Sequence, residues 1–310
     1  MDYKSKYIIN DSLNQNSHIF YKKYIKYKKK YLELKKIIGG KVNPYLIITA
    51  GPTGSGKGSL PDKIINYLYL NQNERVNVLI DDIVVNQEKY KKGIKELIQR
   101  SCGNLELCEN LKEKINNPND DILEKFNDLY FTTRKSEGCY NTDKSCDQIN
   151  DEKLEKAFEE GNNIIFETTG TSYPSWIFKY NMEKINKWKY DVIMAWTIAD
   201  WCELIKRNKS RALESFNKFI KDNDSPGPRL PDVRSDNYKK LAKIINDVFY
   251  RIAFNCGKTF KIEFCKKEIR LIVVDNRTKD NKNNILYDSF KGSMSPDVEK
   301  VFNFTRLSCE

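Results

Sequence analysis

Ten residues, Gly51 to Leu60 (GPTGSGKGSL), constrain this chain more than any others. They follow the apolar run Tyr45-Leu46-Ile47-Ile48-Thr49-Ala50 and precede a helix-like stretch. Glycines at 51, 54 and 56 let the backbone curl until successive N–H groups point inward at a phosphate. Lys57 adds a point charge, and the helix start adds the positive end of its dipole. An ordinary glycine turn would leave Lys57 and the preceding strand unexplained. The expectation is a nucleotide phosphate site at the carboxyl end of a first strand.

One position departs from the common pattern. The residue after the loop lysine is usually Ser or Thr, whose hydroxyl ligates Mg²⁺. Here it is Gly58, with Ser59 next. The order GSGKGS resembles the loop of adenylate-kinase-like nucleotide kinases, which points to small-molecule kinases rather than GTPases or motors.

Charge is unevenly spread. The net charge is +11 over 310 residues, but residues 1–42 hold eleven lysines against Asp2, Asp11 and Glu33. That segment carries +8, leaving +3 for the other 268 residues. A nucleic-acid groove across the body is therefore not supported. The eight cysteines include no C-x-x-C pair, and the only histidine is His18. A structural zinc site has little support, and with no histidine in the body Ser-His-Asp or Cys-His hydrolysis lacks its base. No apolar run reaches the roughly 18 residues of a membrane span, and lysines interrupt any signal-peptide profile. The expectation is an intracellular protein with free thiols, one or two disulfides being conceivable among Cys102, Cys108, Cys139 and Cys146.

Phe20, Tyr24, Tyr27, Tyr31, Leu34 and Ile38 recur at helical spacing among lysines, up to Gly39-Gly40. This basic amphipathic helix suits a solvated face, an anionic partner, a membrane surface or a coiled coil. From residue 43 to 310 the pattern predicts one α/β domain. Strands are expected at 45–50, 76–80, 163–167, 190–198, 270–274 and 284–288. Helices are expected at 57–71, 86–101, 151–160, 174–188, 200–221 and 235–254. The alternation implies a parallel sheet with helices on both faces, and the resemblance of the GSGKGS loop to nucleotide kinases implies the P-loop arrangement with kinase-like strand order. Residues 102–150 read as a polar, cysteine-bearing insertion over one sheet edge.

In such folds, chemistry gathers at the carboxyl ends of strands. Asp81 and Asp82 follow the second strand, where an acid can deprotonate a hydroxyl or hold Mg²⁺ through water; Asp also favours helix starts. Glu167 ends the third, where a carboxylate needs a cation or donors. Arg207 and Arg211 lie one helical turn apart after the fourth, and Arg229 lies in the loop DNDSPGPRLPD with Arg234 beyond it. A planar guanidinium suits phosphoryl oxygens; a solvated basic helix is the plainer reading of the first two.

The ordered set ITAGPTGSGKGSL, NVLIDDIVVNQEKY, EGNNIIFETTG, YDVIMAWTIADWCELIKRNKSR and IRLIVVDNR followed by ILYDS resembles the zeta-toxin kinases over residues 45–290. The leader FYKKYIKYKKKYLELKKIIGGK is similar to lysine- and tyrosine-rich N-termini of giant-virus proteins, which implies a host-cytoplasm or virion location. The zeta-toxin resemblance implies ATP and Mg²⁺ as cofactors, with bacterial members phosphorylating UDP-N-acetylglucosamine. It implies that Gly51, Pro52, Thr53, Gly54, Ser55, Gly56, Lys57, Gly58 and Ser59 hold the nucleotide, with Ser59 and Asp82 toward the metal. Asp81 or Asp82 then activates the acceptor hydroxyl, Glu167 binds substrate, and Arg207 or Arg211 together with Arg229 clamps phosphate. The family's acid usually reads Asp-x-Asp, so the adjacent pair leaves the base open. The competing readings are a nucleoside or nucleotide kinase and a non-catalytic nucleotide-binding virion protein.

Overall fold

The computed structural model describes residues 43–71, 74–102, 121–170, 175–199, 201–222, 225–229, 269–276 and 284–291, with Lys23, Lys26, Tyr27, Lys30 and Glu113. The chain divides into two compact units, Met1–Asn43 with Ile64–Asn73, and Pro44–Lys63 with Glu74–Glu310. In the first unit Lys23, Lys26, Tyr27 and Lys30 are helical and exposed; the rest of the leader's apolar stripe lies outside the described residues. Tyr69 takes a left-handed φ of 54°, and Leu70 N–H closes back on Ile65 O at 3.0 Å, which ends the helix there.

The second unit is built on a six-stranded sheet in the order β2-β3-β1-β4-β5-β6. Its strands are β1 Tyr45–Ala50, β2 Arg75–Val78, β3 Asn163–Glu167, β4 Asp191–Ile198, β5 Arg270–Asp275 and β6 Asn284–Asp288. The first five run parallel and β6 is antiparallel to β5. Every residue of β1 is buried, as are Val192–Ile198 of β4 and Leu271–Asp275 of β5. Successive side chains alternate between faces, so continuous burial means both faces are covered. Leu46, Ile47 and Ile48 are fully inaccessible, each such side chain contributing about 1.5–3 kcal/mol. At the edge, Arg75 of β2 pairs with Asp62 at 2.6 Å, and a charge there discourages further strand pairing.

Helices α1 Leu60–Leu68, α2 Ile80–Val85, α3 Glu88–Cys102, α4 Ile122–Lys135, α5 Cys146–Glu160, α6 Ser175–Trp188 and α7 Trp201–Lys221 fill the connections. A single 3₁₀ turn, Lys57–Ser59, starts the helix expected at 57, which ends at Leu68 rather than 71. The second strand also ends early, at Val78 instead of 80. Leu79 stays extended and Asp81 and Asp82 enter the first turn of α2, where the helix dipole favours carboxylates. The helix expected at 235–254 lies outside the described residues. Among the described residues no helix is long and apolar enough to cross a membrane.

A second core lies away from the sheet centre. Ile83, Val84 and Val85 of α2 meet Tyr90, Ile94 and Ile98 of α3, Ile122, Phe126 and Tyr130 of α4, and Ala212, Phe216 and Phe219 of α7. The spacing of four within α3 and α4 puts each set on one helical face. α4 and the start of α5 thus occupy part of the expected insertion, and α5 lies against β2 and β3. A capping box of Ser145 and Gln148 fixes where α5 begins. Cys139 and Cys146 join in a disulfide with Cα atoms 5.2 Å apart, and Cys202 is disulfide-bonded as well. The expectation of free thiols fails here: the turn between α4 and α5 brings two thiols within bridging reach inside the second core.

Candidate active site

The glycine-rich loop Gly51–Ser59 leaves β1 at the middle of the sheet and is held by its neighbours on either side. Gly51 N–H donates to Thr169 O at 3.3 Å, beyond the end of β3. Ser55 Oγ lies 2.6 Å from Thr197 Oγ1 near the end of β4, both buried. Asn276, just past β5, donates through Nδ2 to Ser55 O at 2.6 Å, and Asn208 of α7 donates to Thr53 O at 2.9 Å. These side chains close on the loop so tightly that two glycines are required. Gly54 and Gly56 have φ of 85° and 96°. A Cβ at Gly56 would overlap the Asn276 amide nitrogen, and one at Gly54 would stand 2.6 Å from Asn208 Nδ2. At Gly58 a Cβ would meet nothing within 4 Å.

Lys57 folds into this ring. Its Nζ donates to Gly51 O at 2.8 Å and lies 3.8 Å from Glu167 Oε1, with the lysine side chain only 8% exposed. Burial holds the Lys57 ammonium below the ordinary lysine value, opposed by Glu167 and then Asp81. Burial likewise pushes the Glu167 carboxyl above the usual carboxylate value, against the pull of Lys57. Both groups are thus held in a site that disfavours charge, each retained chiefly by the other. Ser59 Oγ donates to Gly56 O at 3.2 Å and is exposed.

Asp81 faces this pair from α2. Tyr130 Oη donates to Asp81 Oδ1, and Arg229 Nε lies 3.6 Å from the same oxygen. The Arg229 guanidinium sits over the Tyr130 ring, 3.7 Å from its centroid, and Nη1 reaches Asn127 Oδ1 at 3.4 Å. The loop that delivers Arg229 is pinned on both sides: Gly227 N–H donates to Val85 O at 2.7 Å and Tyr90 Oη to Pro228 O at 2.8 Å. Asp82 is exposed; desolvation and then the neighbouring Asp81 charge push its carboxyl upward.

The two α7 arginines differ. Arg211 is exposed, and its charge acts on Lys57, Glu167 and Asp82 alike. Arg207 has Nε 3.3 Å from Glu203 Oε2 while Nη1 and Nη2 are buried without a hydrogen-bond partner among the described residues. A guanidinium in that condition has four N–H donors for an anion or polar acceptor. Arg234 lies outside the described residues.

Neither a family model nor a curated protein matches this chain. Among solved structures it is similar to a chain from the PezAT chromosomal toxin-antitoxin system of Streptococcus pneumoniae, with a TM-score of 0.47 and 17% identity. That match covers 86% of this chain and 80% of the other. It is also similar to a candidate kinase from Chloroflexus aurantiacus, with a TM-score of 0.28 and 13% identity, over 67% of this chain and 97% of that one. At these scores the site must be argued from its own geometry.

Lys57, Glu167, Asp81 and Arg229, separated by up to 172 positions in the chain, meet in one place. Tyr130, Asn127, Thr197, Asn208 and Asn276 were not singled out by sequence reasoning. Thr197 and Asn276 carried a signal, being polar residues at the carboxyl ends of the apolar strands β4 and β5. Tyr130 carried none, because its spacing from Ile122 and Phe126 reads as core.

Proposed function

We propose that this chain is an ATP-dependent small-molecule kinase that transfers the γ-phosphoryl group of ATP to an acceptor hydroxyl. The observation that carries the reading is Lys57, buried in a left-handed glycine loop at the sheet centre, with Glu167 beside it and Asp81 acting on both. A buried ammonium whose neighbours are carbonyls and one carboxylate is poised to exchange them for phosphate oxygens. Glycines at 51, 54 and 56 leave backbone N–H groups as the only lining small enough for close phosphate approach.

Mg²⁺ fits the donor chemistry. Among the described residues no cluster of three His, Cys, Asp or Glu could hold a metal. A Mg²⁺ ion at a phosphate site is bound mostly by phosphate and water and touched by few protein oxygens. Ser59 Oγ and the Asp82 carboxylate are the groups that would hold it. When bound, the ion would neutralise charge on the transferring phosphoryl group.

Asp81 is the base in this reading, because two partners orient it and its charge reaches Lys57, whereas Asp82 points to solvent. The acceptor O–H proton passes to Asp81, a new O–P bond forms, the bond to the bridging oxygen breaks, and ADP leaves. Lys57 and Arg211 neutralise the charge that develops. The Gly58-Ser59 order after Lys57 also fits a nucleoside or nucleotide kinase, so a panel of nucleosides, nucleotides and UDP-N-acetylglucosamine belongs beside the general assay. The test is mass spectrometry of ATP·Mg²⁺ with a metabolite extract, with and without protein. A product heavier by one phosphate is expected, and Lys57→Ala should abolish it. Undiminished product formation by that variant would sink the reading.

A further inference from the structure

The one functional contact to Asp81 that no sequence motif announced comes from α4. Tyr130 is 1% exposed and its ring belongs to the second core, yet its hydroxyl leaves that core to donate to Asp81 Oδ1. Arg229 approaches the same oxygen, at 3.6 Å. No hydrogen bond among the described residues reaches Oδ2, and 41% of the Asp81 side chain stays exposed. One carboxylate oxygen is held and the other is presented.

We propose that Tyr130 is a positioning residue: its hydroxyl, with Arg229 stacked on its ring, fixes Oδ1 so that Oδ2 of Asp81 takes the acceptor proton. This rests on the kinase reading above and adds to it the segment that aims the base. A carboxylate on a two-bond side chain samples several rotamers in water, and only some place a lone pair on the attacking hydroxyl. Holding one oxygen removes that freedom before the substrate arrives. The ring and the cation serve the same end. Arg229 is itself fixed by the 3.7 Å stack and by the pinned backbone at Gly227 and Pro228. Arg229 is accordingly directed at Asp81 rather than left to solvent. The α4 helix thereby becomes part of the acceptor side of the site.

The experiment is a double-mutant cycle on the full chain. Radiolabelled ATP·Mg²⁺ is turned over with a metabolite extract as acceptor source, while a fluorescent ATP analogue reports binding. Tyr130→Phe keeps the ring, the core packing and the stack on Arg229, and deletes only the hydroxyl. It should lower kcat about 10-fold while KM for ATP, analogue affinity and melting temperature stay unchanged. Asp81→Asn should cost about 10²–10⁴-fold, leaving turnover that a radiolabel resolves. On that background Tyr130→Phe should cost less than about twofold, since a residue that acts through Asp81 has nothing left to aim. Equal losses on both backgrounds, an unchanged kcat, or a loss explained by weaker ATP binding would overturn the proposal while leaving the kinase reading intact. Full turnover by Lys57→Ala, or none by the unaltered chain, would remove the kinase reading and this inference with it.

Discussion

Asn276 reaches from the end of β5 to donate to Ser55 O at 2.6 Å, and Gly56, the next residue, has no room for a Cβ beside that amide. Two glycines of one loop therefore predict opposite outcomes. Gly56→Ala meets both a φ of 96° and the Asn276 side chain, so it should lose about 1–3 kcal/mol of stability and ATP binding with it. Gly58→Ala adds its methyl to open space in a 3₁₀ turn and should be neutral or gain about 0.4–1 kcal/mol. Urea unfolding and binding of a fluorescent ATP analogue check both. A tolerated Gly56→Ala would mean that the loop is not closed by Asn276.

Glu167 predicts a pH dependence with a definite sign. Its folded-state value lies above the ordinary glutamate value of about 4.3. Between those two values the folded chain binds more protons at this site than the unfolded chain. The stability it contributes is complete below the ordinary value and is lost as pH rises through the folded one. The stability of the unaltered chain relative to Glu167→Gln should therefore fall across that window, by at most about 1.4 kcal/mol per pH unit. Urea midpoints of both proteins from pH 4 to 8 measure it. A difference that rises with pH would show that Lys57 outweighs burial at this carboxyl.

Which parts of this site could be read from the chain depends on how each residue signals. β1, β3 and β6 match their expected ranges; β1 is buried throughout and β3 at its centre, and such strands appear as short apolar runs with sharp ends. The second strand was over-extended because Leu79 and Ile80 are apolar whichever element they join. Only the helix-dipole preference of Asp81 and Asp82 separates strand from helix there. The loop, Lys57 and Glu167 were legible from composition against position. Asn276 and Thr197 needed each strand end to be asked what it faces, and Tyr130 needed the tertiary fold. A tyrosine at core spacing looks the same whether or not its hydroxyl leaves the core.

Arg211 separates transfer from folding. It is exposed, and among the described residues no ion pair holds it, yet its charge acts on Lys57, Glu167 and Asp82. Arg211→Ala should leave the melting temperature within about 1 °C, the usual outcome of a surface change. It should also lower kcat about 10²–10³-fold, the scale of losing one preorganised donor to developing charge. Arg211→Lys should recover little of this, because a point charge does not replace a bidentate fork. An Arg211→Ala variant with unaltered kcat would assign the phosphate contact proposed for Arg211 to Arg207, whose Nη1 and Nη2 have no hydrogen-bond partner among the described residues.

The disulfide predicts that Tyr130 depends on a bond outside the site. Cys139 and Cys146, seven positions apart, join the turn after α4 to the first residue of α5. Closing so short a loop contributes about 2.5 kcal/mol on the chain-entropy account. The same turn is also held by Tyr140 N–H on Gln87 Oε1 at 2.8 Å and by Lys89 Nζ on Glu137 O at 2.7 Å. Reduction should therefore loosen α4 without unfolding the sheet, whose core is separate. Cys139→Ala/Cys146→Ala should lose roughly 2–3 kcal/mol in the unfolding of the α4 region and lower kcat. On the kinase reading, affinity for the ATP analogue rests on the loop tied to β3, β4, β5 and α7 and should stay within about twofold. Hydrogen exchange should show new opening in residues 122–135 and none in β1 or β4. Equal loosening of both regions would mean that the two cores unfold as one cooperative unit.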